Sequence, residues 1–308
     1  SHGYYGPAAA KQLRYLLKNV TRTPTGAISQ RASPKQVQLW SDSAYMGPPF
    51  LAYYGWVTQN QSLVQMAFDE LKLQRSALHR PQDPGRHLWR HIIEFPNDTK
   101  ATRAIDARVW LTGNGWAAAG MLRVAAIISH SPWADKMQAQ HDQLVQWADD
   151  IITAAYQFVD PGTGLLLNAI DDPSTFLDGS GSALLSYAVF RLASMDQGRK
   201  KHVDMAEKAY QTLSKSLNGL SQFTNGIKTV NEMQSNEAGA TSTESLAFMI
   251  LMAAARRDYH ANNVTGSTGP LNVPDKSSSA WPSHDLPSIS WFLAAILTLT
   301  GLVNALSI

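Results

Sequence analysis

The sequence of 308 residues contains no cysteine. This absence excludes disulfides, thiolate metal sites and cysteine nucleophiles, and it leaves the redox compartment open. An excess of charge is also missing, because the formal net charge is only +2 and the basic residues form no stripes between aromatic residues. We therefore expect no nucleic-acid partner. Nucleophile elbows, phosphate-binding glycine loops and the two-histidine metalloprotease helix are absent as well.

Apolar residues recur at helical spacing in eight segments. The predicted helices span residues 8–19, 43–56, 62–78, 115–128, 140–158, 181–193, 203–217 and 243–259. Pro48 and Pro49 interrupt the second helix, which should start tightly or kink. Strands are expected only at 165–167 and at 223–230, where Asn-Gly favours a hairpin. Alternating short and long connections predict an all-α ring of helical hairpins, with a site in the loops at one end.

The composition changes after residue 259. We expect a helical domain at 1–259, a linker rich in Ser, Gly and Pro at 260–287, and an apolar tail at 288–308. Small residues, a polar spacer and an apolar terminus together fit a lipid-anchor signal. A membrane-spanning tail anchor and a last core helix are the alternatives. A membrane is thus expected as a partner only through this tail.

Four Asn-X-Ser/Thr triplets indicate a secretory route and an extracellular or cell-surface location, although such triplets also arise by chance. The candidate glycosylation sites are Asn19, Asn60, Asn97 and Asn263. The chain begins at Ser1 without an apolar signal segment, so we expect a mature or truncated product.

Asp42 is a single carboxylate among aromatic residues, just ahead of an apolar helix. The surrounding sequence from Trp40 to Met46 is Trp-Ser-Asp-Ser-Ala-Tyr-Met. Aromatic faces stack on the C–H surfaces of sugars, and a half-buried carboxyl group can hold a proton, so this pattern suits a sugar site. In the alternative interpretation Asp42, flanked by two serines, only caps the following helix.

A second candidate site lies between Trp110 and Trp116, which bracket Thr-Gly-Asn-Gly. The two indoles offer stacking faces, Asn114 offers an amide, and the small residues admit a ligand close to the backbone. In the alternative interpretation Asn114 caps the helix and both indoles belong to the core.

His87 and His91 are four residues apart, so a helix would place both on one face, as metal ligands could be. No third ligand is evident, and the sequence favours a single histidine that hydrogen-bonds a ligand. We therefore expect neither a metal nor a cofactor.

Four motifs in this order resemble glycoside hydrolase families 105 and 88, the unsaturated rhamnogalacturonyl and glucuronyl hydrolases, and most closely their secreted fungal branch. The resemblance covers about residues 8–259, and the motifs lie at 40–52, 88–92, 110–123 and 179–193. It implies an (α/α)₆ toroid that binds the unsaturated uronic acid at the non-reducing end of lyase products.

The resemblance also implies a mechanism and a set of site residues. An aspartate matching Asp42 protonates the C4=C5 double bond of the sugar and helps water to add at C5, and the resulting hemiketal collapses. One acid that donates and then accepts a proton suffices for this step. The resemblance implies contacts with the oligosaccharide substrate at His91, Trp110, Asn114 and Trp116. We expect the neighbouring Trp40 to contact the substrate as well.

Two departures from the family pattern bear on activity. Thr112 stands where family members usually carry an arginine, so one donor to the uronate carboxylate is either lost or supplied by Arg90 or Arg108. The family's second aspartate lies further upstream than the 41 residues before Asp42 allow, so we expect the first part of the toroid to be missing. Asp106 and Asp178 are the candidates to replace that aspartate. A catalytically inactive, surface-anchored glycan-binding or cell-wall protein is the alternative function.

Overall fold

A computed structural model describes residues 2–80, 87–96, 100–216, 230–231, 234–235 and 242–261. These residues all fall within one unit, Ser1–Gly269. The second unit, Pro270–Ile308, contains the predicted apolar tail and lies outside the described residues. None of the described helices is both long and apolar enough to cross a membrane. The lipid anchor stays a prediction.

The described part of the chain contains eight α-helices, which confirms their predicted number and order. They are α1 (His2–Lys18), α2 (Ser43–Val57), α3 (Gln61–Leu78), α4 (Leu111–Ser129), α5 (Gln138–Ala155), α6 (Gly179–Met195), α7 (Val203–Ser216) and α8 (Thr243–His260). The predicted helix at 140–158 ends as a 3₁₀ turn at Tyr156–Phe158. Pro48 and Pro49 are buried within α2, which runs through both of them.

The helices alternate between two layers. The helices α2, α4, α6 and α8 pack side by side in that order, while α3, α5 and α7 pack against α2, α4 and α6, respectively. Nearly every residue of α4 and α6 is buried, whereas α3, α5 and α7 bury one face each. Successive helices therefore form the hairpins that the sequence predicts.

Glycines on α4 allow it to lie directly against its neighbours. A Cβ atom at Gly120 would lie 2.2 Å from the carbonyl oxygen of Ala44 on α2. A Cβ atom at Gly113 would lie 2.2 Å from the Oγ atom of Ser41, the residue before Asp42. Both glycines thus leave room for atoms of neighbouring segments. The contact at Gly113 holds the start of α2 against the first turn of α4.

Three short strands form a sheet that the sequence analysis did not predict. They are β1 (Gln38–Trp40), β2 (Ile92–Glu94) and β3 (Arg103–Asp106), antiparallel and in the order β1-β2-β3. Strands of three or four residues are too short to show a clear alternation of apolar and polar residues. A separate pair joins β4 (Val230–Asn231) to β5 (Gln234–Ser235).

The prediction of a strand at 165–167 is wrong. Leu167 makes only an isolated bridge to Leu177, and Leu165 and Leu166 are fully buried in a loop. Their apolar character therefore reflects burial in the core and not strand pairing. The Asn225-Gly226 turn of the predicted hairpin lies outside the described residues.

Candidate active site

The short sheet brings three titratable residues to one of its ends. In its register Trp40 of β1 is opposite Ile92 of β2, and Ile92 is opposite Asp106, the last residue of β3. Asp42 follows β1 and His91 precedes β2, so both lie beside Asp106. Backbone hydrogen bonds continue this alignment, since Ser41 N donates to His91 O over 2.9 Å. These residues are 64 positions apart in the sequence, from 42 to 106, and they meet because the strands pair.

His91 lies between the two carboxylates. Its Nδ1 atom is 2.8 Å from Asp106 Oδ2, and its Nε2 atom is 3.5 Å from Asp42 Oδ2. The side chain of His91 is only 2% exposed. Burial would lower the pKa of His91, but hydrogen bonding and charge from Asp106 and Asp42 outweigh burial and raise the pKa to about 9. His91 is therefore an imidazolium at neutral pH, with both ring nitrogens able to donate.

Asp106 orients His91 and is itself fixed by Arg108. The Arg108 side chain donates from Nε to Oδ1 over 3.0 Å and from Nη2 to Oδ2 over 3.1 Å. Burial would raise the pKa of Asp106, but the hydrogen bonds from His91 and Arg108 outweigh it and hold the pKa well below its usual range. Asp106 is thus an anionic acceptor, which makes it unsuited to replace a proton-donating acid.

The side chain of Asp42 does not cap α2, so the capping interpretation is wrong. Its Oδ2 atom is 3.4 Å from the Ser41 hydroxyl and also contacts His91. Its Oδ1 atom has no hydrogen-bond partner in the described part of the chain. With 18% of the side chain exposed, Asp42 is the carboxylate of this group that a ligand can reach.

Two aromatic rings adjoin the His91 imidazole. The Trp110 ring is tilted against His91 at a centroid distance of 4.5 Å, and the Trp40 ring meets it edge-on at 5.7 Å. Trp40 is half-buried, and the guanidinium carbon of Arg31 lies 4.9 Å from its ring centre. The structure therefore brings Trp40, His91 and Trp110 together beside Asp42.

Trp116 and Asn114 lie deeper. The Trp116 ring packs 4.5 Å from Tyr45 and 4.8 Å from Phe248, as part of the core between α2, α4 and α8. Asn114 is fully buried in the first turn of α4, where Trp110 is the N-cap residue, so Asn114 does not cap that helix. Direct contact of either side chain with substrate stays a prediction.

Asn114 positions the loop that carries His91. Its Oδ1 atom accepts from Trp89 N over 2.8 Å, and its Nδ2 atom donates to Trp89 O and Trp110 O, each over 3.0 Å. A buried amide with these three bonds satisfies backbone groups that would otherwise be costly to bury. Asn114 therefore fixes the residues around His91 to the start of α4.

The structure does not place His87 and His91 on one face of a helix. They therefore do not form the pair of metal ligands that their spacing would allow on a helix. His87 lies in a loop with φ 83° and its Nδ1 atom is 3.6 Å from Asp150 Oδ2. Within the ranges that the structure describes, no group of three or more His, Asp or Glu side chains could hold a metal ion.

Asp178 caps α6 and is closed to ligands. Its carboxylate accepts from Gly181 N over 3.0 Å and from Asn168 Nδ2 over 3.1 Å, and the residue is fully buried. Burial raises the pKa of Asp178 to about 6, against the opposing effect of these hydrogen bonds. Asp178 is therefore the N-cap of α6, and it is not available as a second acid beside Asp42.

Two of the four predicted glycosylation sites fall among the described residues. Asn19 and Asn60 are both exposed, and Asn60 Oδ1 accepts from Ser62 N at the start of α3. Asn97 and Asn263 lie outside the described ranges. Glycosylation and the secretory route stay predictions.

Comparison with known families gives one match over most of the chain. The profile of Glycosyl Hydrolase Family 88 matches residues 3–248. This interval includes every residue of the Asp42, His91 and Asp106 group.

Comparison with solved structures shows the same helical architecture. A possible member of the GH105 family from Salmonella enterica is 20% identical, with a TM-score of 0.67 over 82% of this chain and 66% of that one. A possible GH105 member from Klebsiella pneumoniae is 19% identical, with a TM-score of 0.68 and the same coverage of both chains. The chain thus spans slightly less than two thirds of these structures.

A more distant similarity is to an unsaturated glucuronyl hydrolase from Bacillus sp. GL1, described as responsible for the degradation of glycosaminoglycan. It is 16% identical, with a TM-score of 0.55 over 73% of this chain and 60% of that one. Together these similarities confirm the predicted fold class, the (α/α)₆ toroid of helical hairpins.

Proposed function

The chain belongs to glycosyl hydrolase family 88, and from the arrangement of its site we propose that it removes an unsaturated uronic acid from the non-reducing end of lyase-generated, pectin-like oligosaccharides. The observation that carries this proposal is the contact of Asp42, whose side chain is 18% exposed, with the buried His91. The structural similarity to an unsaturated glucuronyl hydrolase supports the substrate class by analogy.

In the proposed reaction the protonated form of Asp42 transfers its proton to C4 of the C4=C5 double bond. Positive charge then develops at C5 and the ring oxygen, and water adds at C5 while the Asp42 carboxylate takes a proton from that water. One water is consumed, Asp42 ends in its starting state, and the hydrated product is a hemiketal that opens and releases the aglycone. No nucleophile at the anomeric carbon is needed, unlike in ordinary two-carboxylate glycosidases.

His91 and the aromatic rings support this step without taking part in bond formation. The His91 imidazolium, 3.5 Å from Asp42 Oδ2, balances the negative charge that Asp42 carries after it donates its proton. Asp106 fixes the orientation of the imidazole through its 2.8 Å hydrogen bond. The half-buried Trp40 offers an aromatic surface for the sugar, and the Trp110 ring packs against His91 at a centroid distance of 4.5 Å.

The test is hydrolysis of unsaturated disaccharides made by polysaccharide lyases from pectin or glycosaminoglycan, followed as loss of absorbance of the conjugated double bond. Asp42→Asn should lower kcat by about 10²- to 10⁴-fold, because the general acid is lost. Asp135→Asn is the matched control, since Asp135 is exposed in a 3₁₀ turn outside this group, and it should leave kcat unchanged.

Two results would contradict the proposal. If the unaltered protein consumes none of these substrates, it is not a hydrolase of this type. If Asp42→Asn is as active as the unaltered protein, Asp42 is not the acid.

One observation favours a second function, that of an inactive glycan-binding protein. Among the described residues, Asp106 is bound by His91 and Arg108 and Asp178 is fully buried, so neither places a second free carboxylate beside Asp42. Calorimetry that detects binding of the unsaturated disaccharide, together with an absence of turnover, would establish this function. Turnover would reject it.

A further inference from the structure

The two cations described in the site, the His91 imidazolium and the Arg108 guanidinium, both face its carboxylates. Thr112 is buried at the start of α4, where the sequence resemblance leads us to expect an arginine. Arg108 is also committed, because its Nε and Nη2 atoms both bind Asp106. Two of its three guanidinium nitrogens are therefore held by Asp106.

Arg90 faces a different space from that of its neighbour His91. Its side chain lines a cavity of about 570 Å³ together with Lys100 and Phe95, beside the carboxyl end of α3. The carboxylates of the site do not line this cavity. Arg90 is therefore not placed to bind a carboxylate beside Asp42, and Arg108 is engaged by Asp106.

Arg31 is a further cation beside the site in the described part of the chain. Its guanidinium carbon lies 4.9 Å from the centre of the Trp40 ring, and Trp40 in turn contacts His91. The preceding residue is tied to the start of α2, because Ser43 Oγ donates to Gln30 Oε1 over 2.7 Å. Within the described ranges, no acid or hydrogen-bond acceptor engages the Arg31 guanidinium, and the residue is exposed.

We propose that Arg31, stacked on Trp40, binds the carboxylate of the substrate and so replaces the arginine expected at position 112. This inference rests on the proposed function. A guanidinium stacked on an aromatic face keeps its N–H donors in its own plane, where they can form a two-point contact with a carboxylate. Stacking also limits the rotamers of the side chain, so less entropy is lost when the ligand binds.

The kinetic test compares an unsaturated disaccharide carrying a free carboxylate with its methyl ester. Arg31→Gln should raise KM for the free acid by about 10- to 100-fold, as expected for a lost charge-assisted contact, with little change in kcat. KM for the ester should hardly change. Arg31→Lys should recover part of the effect, because it keeps the charge and loses the two-point geometry.

Two further variants control this experiment. Arg14→Gln removes an exposed arginine of α1 that has no partner within the described residues, and Arg90→Gln tests the arginine of the separate cavity. Both should leave KM unchanged for either substrate. The proposal is overturned if Arg90→Gln raises KM for the free acid and Arg31→Gln does not. An equal rise in KM for acid and ester would also overturn it, because that indicates a structural role.

A binding measurement separates this inference from the proposed hydrolysis. Calorimetry with the unsaturated disaccharide is performed on Asp42→Asn protein, with and without Arg31→Gln. Weaker binding in the double variant supports carboxylate recognition by Arg31 even if the unaltered protein shows no turnover. Equal binding of the acid by the two proteins rejects the inference, whatever the kinetics show.

Discussion

His91 keeps its proton at neutral pH because two carboxylates face it, Asp42 at 3.5 Å and Asp106 at 2.8 Å. A folded-state pKa of about 9, above the ordinary value of 6.5, means that folding favours the charged imidazole. This contribution to stability is fully present below pH 6.5 and is lost as the pH rises through about 9. The charge of the imidazole that faces Asp42 thus depends on Asp106, on its other side.

Asp106→Asn tests this dependence. Removal of the negative charge should lower the pKa of His91 toward its ordinary value, and kcat should fall about tenfold because one charge-assisted hydrogen bond is lost. The readouts are an NMR titration of labelled histidine and the pH profile of kcat, whose alkaline limb should move to lower pH.

A neighbouring pair provides the control for this titration. His141 contacts Asp142 over 2.9 Å on the surface, so Asp142→Asn should leave the pKa of His91 and the kcat profile unchanged. A pKa of His91 that is the same in the unaltered protein and in the Asp106→Asn variant would refute the positioning role.

Single residues were predictable from sequence to different degrees. Asp42 and His91 are each marked by a local motif, so their place in the site could be predicted without a structure. The role of Asp106 could not, because it depends on the register that sets Asp106 opposite Ile92. An aspartate two residues before an arginine is too common a pattern to indicate a buried, orienting carboxylate.

The packing of α2 against α4 is the feature of the helices most sensitive to a single methyl group. Gly120→Ala would bring a Cβ atom to 2.2 Å from a backbone oxygen of Ala44, which cannot move without shifting α2. We expect destabilisation by about 1–3 kcal/mol. The measurement is urea denaturation followed by helical circular dichroism.

Gly115→Ala is the matched control on the same helix. Its Cβ atom would meet the side chain of Leu184 at 3.0 Å, and a leucine side chain can shift where a backbone cannot. Because both variants gain the same helix propensity, about 1 kcal/mol, Gly115→Ala should be clearly more stable than Gly120→Ala. Equal stabilities would show that α2 and α4 are not packed as described.

Whole helices were the most predictable feature of this chain, and strands the least. Helices of 14 to 19 residues repeat their apolar pattern over several turns, so α3 and α7 were located to within a residue or so. The strands β1, β2 and β3 span three or four residues, and β1 pairs with a strand about fifty residues away, Trp40 being opposite Ile92. No local pattern can indicate such pairing.

The stability of the whole molecule should depend on pH through Asp178. Its pKa is raised from 3.8 to about 6 in the folded state, so the folded protein holds this proton more tightly than the unfolded chain does. The contribution is complete below pH 3.8 and is lost as the pH rises to about 6, a change of about 3 kcal/mol at most. Asp106, whose pKa is lowered on folding, changes the free energy of unfolding only at a lower pH.

Asp178→Asn should remove the loss of stability between pH 3.8 and about 6. The helix cap should be preserved, because asparagine is an equally good N-cap residue. The free energy of unfolding, measured by urea at pH 4, 5, 6 and 7, should fall less steeply with pH in the variant than in the unaltered protein. Asp135→Asn serves again as the exposed control, with the slope of the unaltered protein. Identical slopes for all three proteins would mean that the buried Asp178 titrates as it does in the unfolded chain.

The three short strands have a practical consequence for anyone who prepares this protein. Nearly all of its circular dichroism signal comes from the helices, whereas Asp42, His91 and Asp106 are held together by β1, β2 and β3. Short strands with few ladder bonds open locally at a lower free energy than packed helices do. A sample can therefore give the spectrum of the native fold after heating or storage and yet have lost its site, so quality control should count competent sites by ligand titration and not by ellipticity.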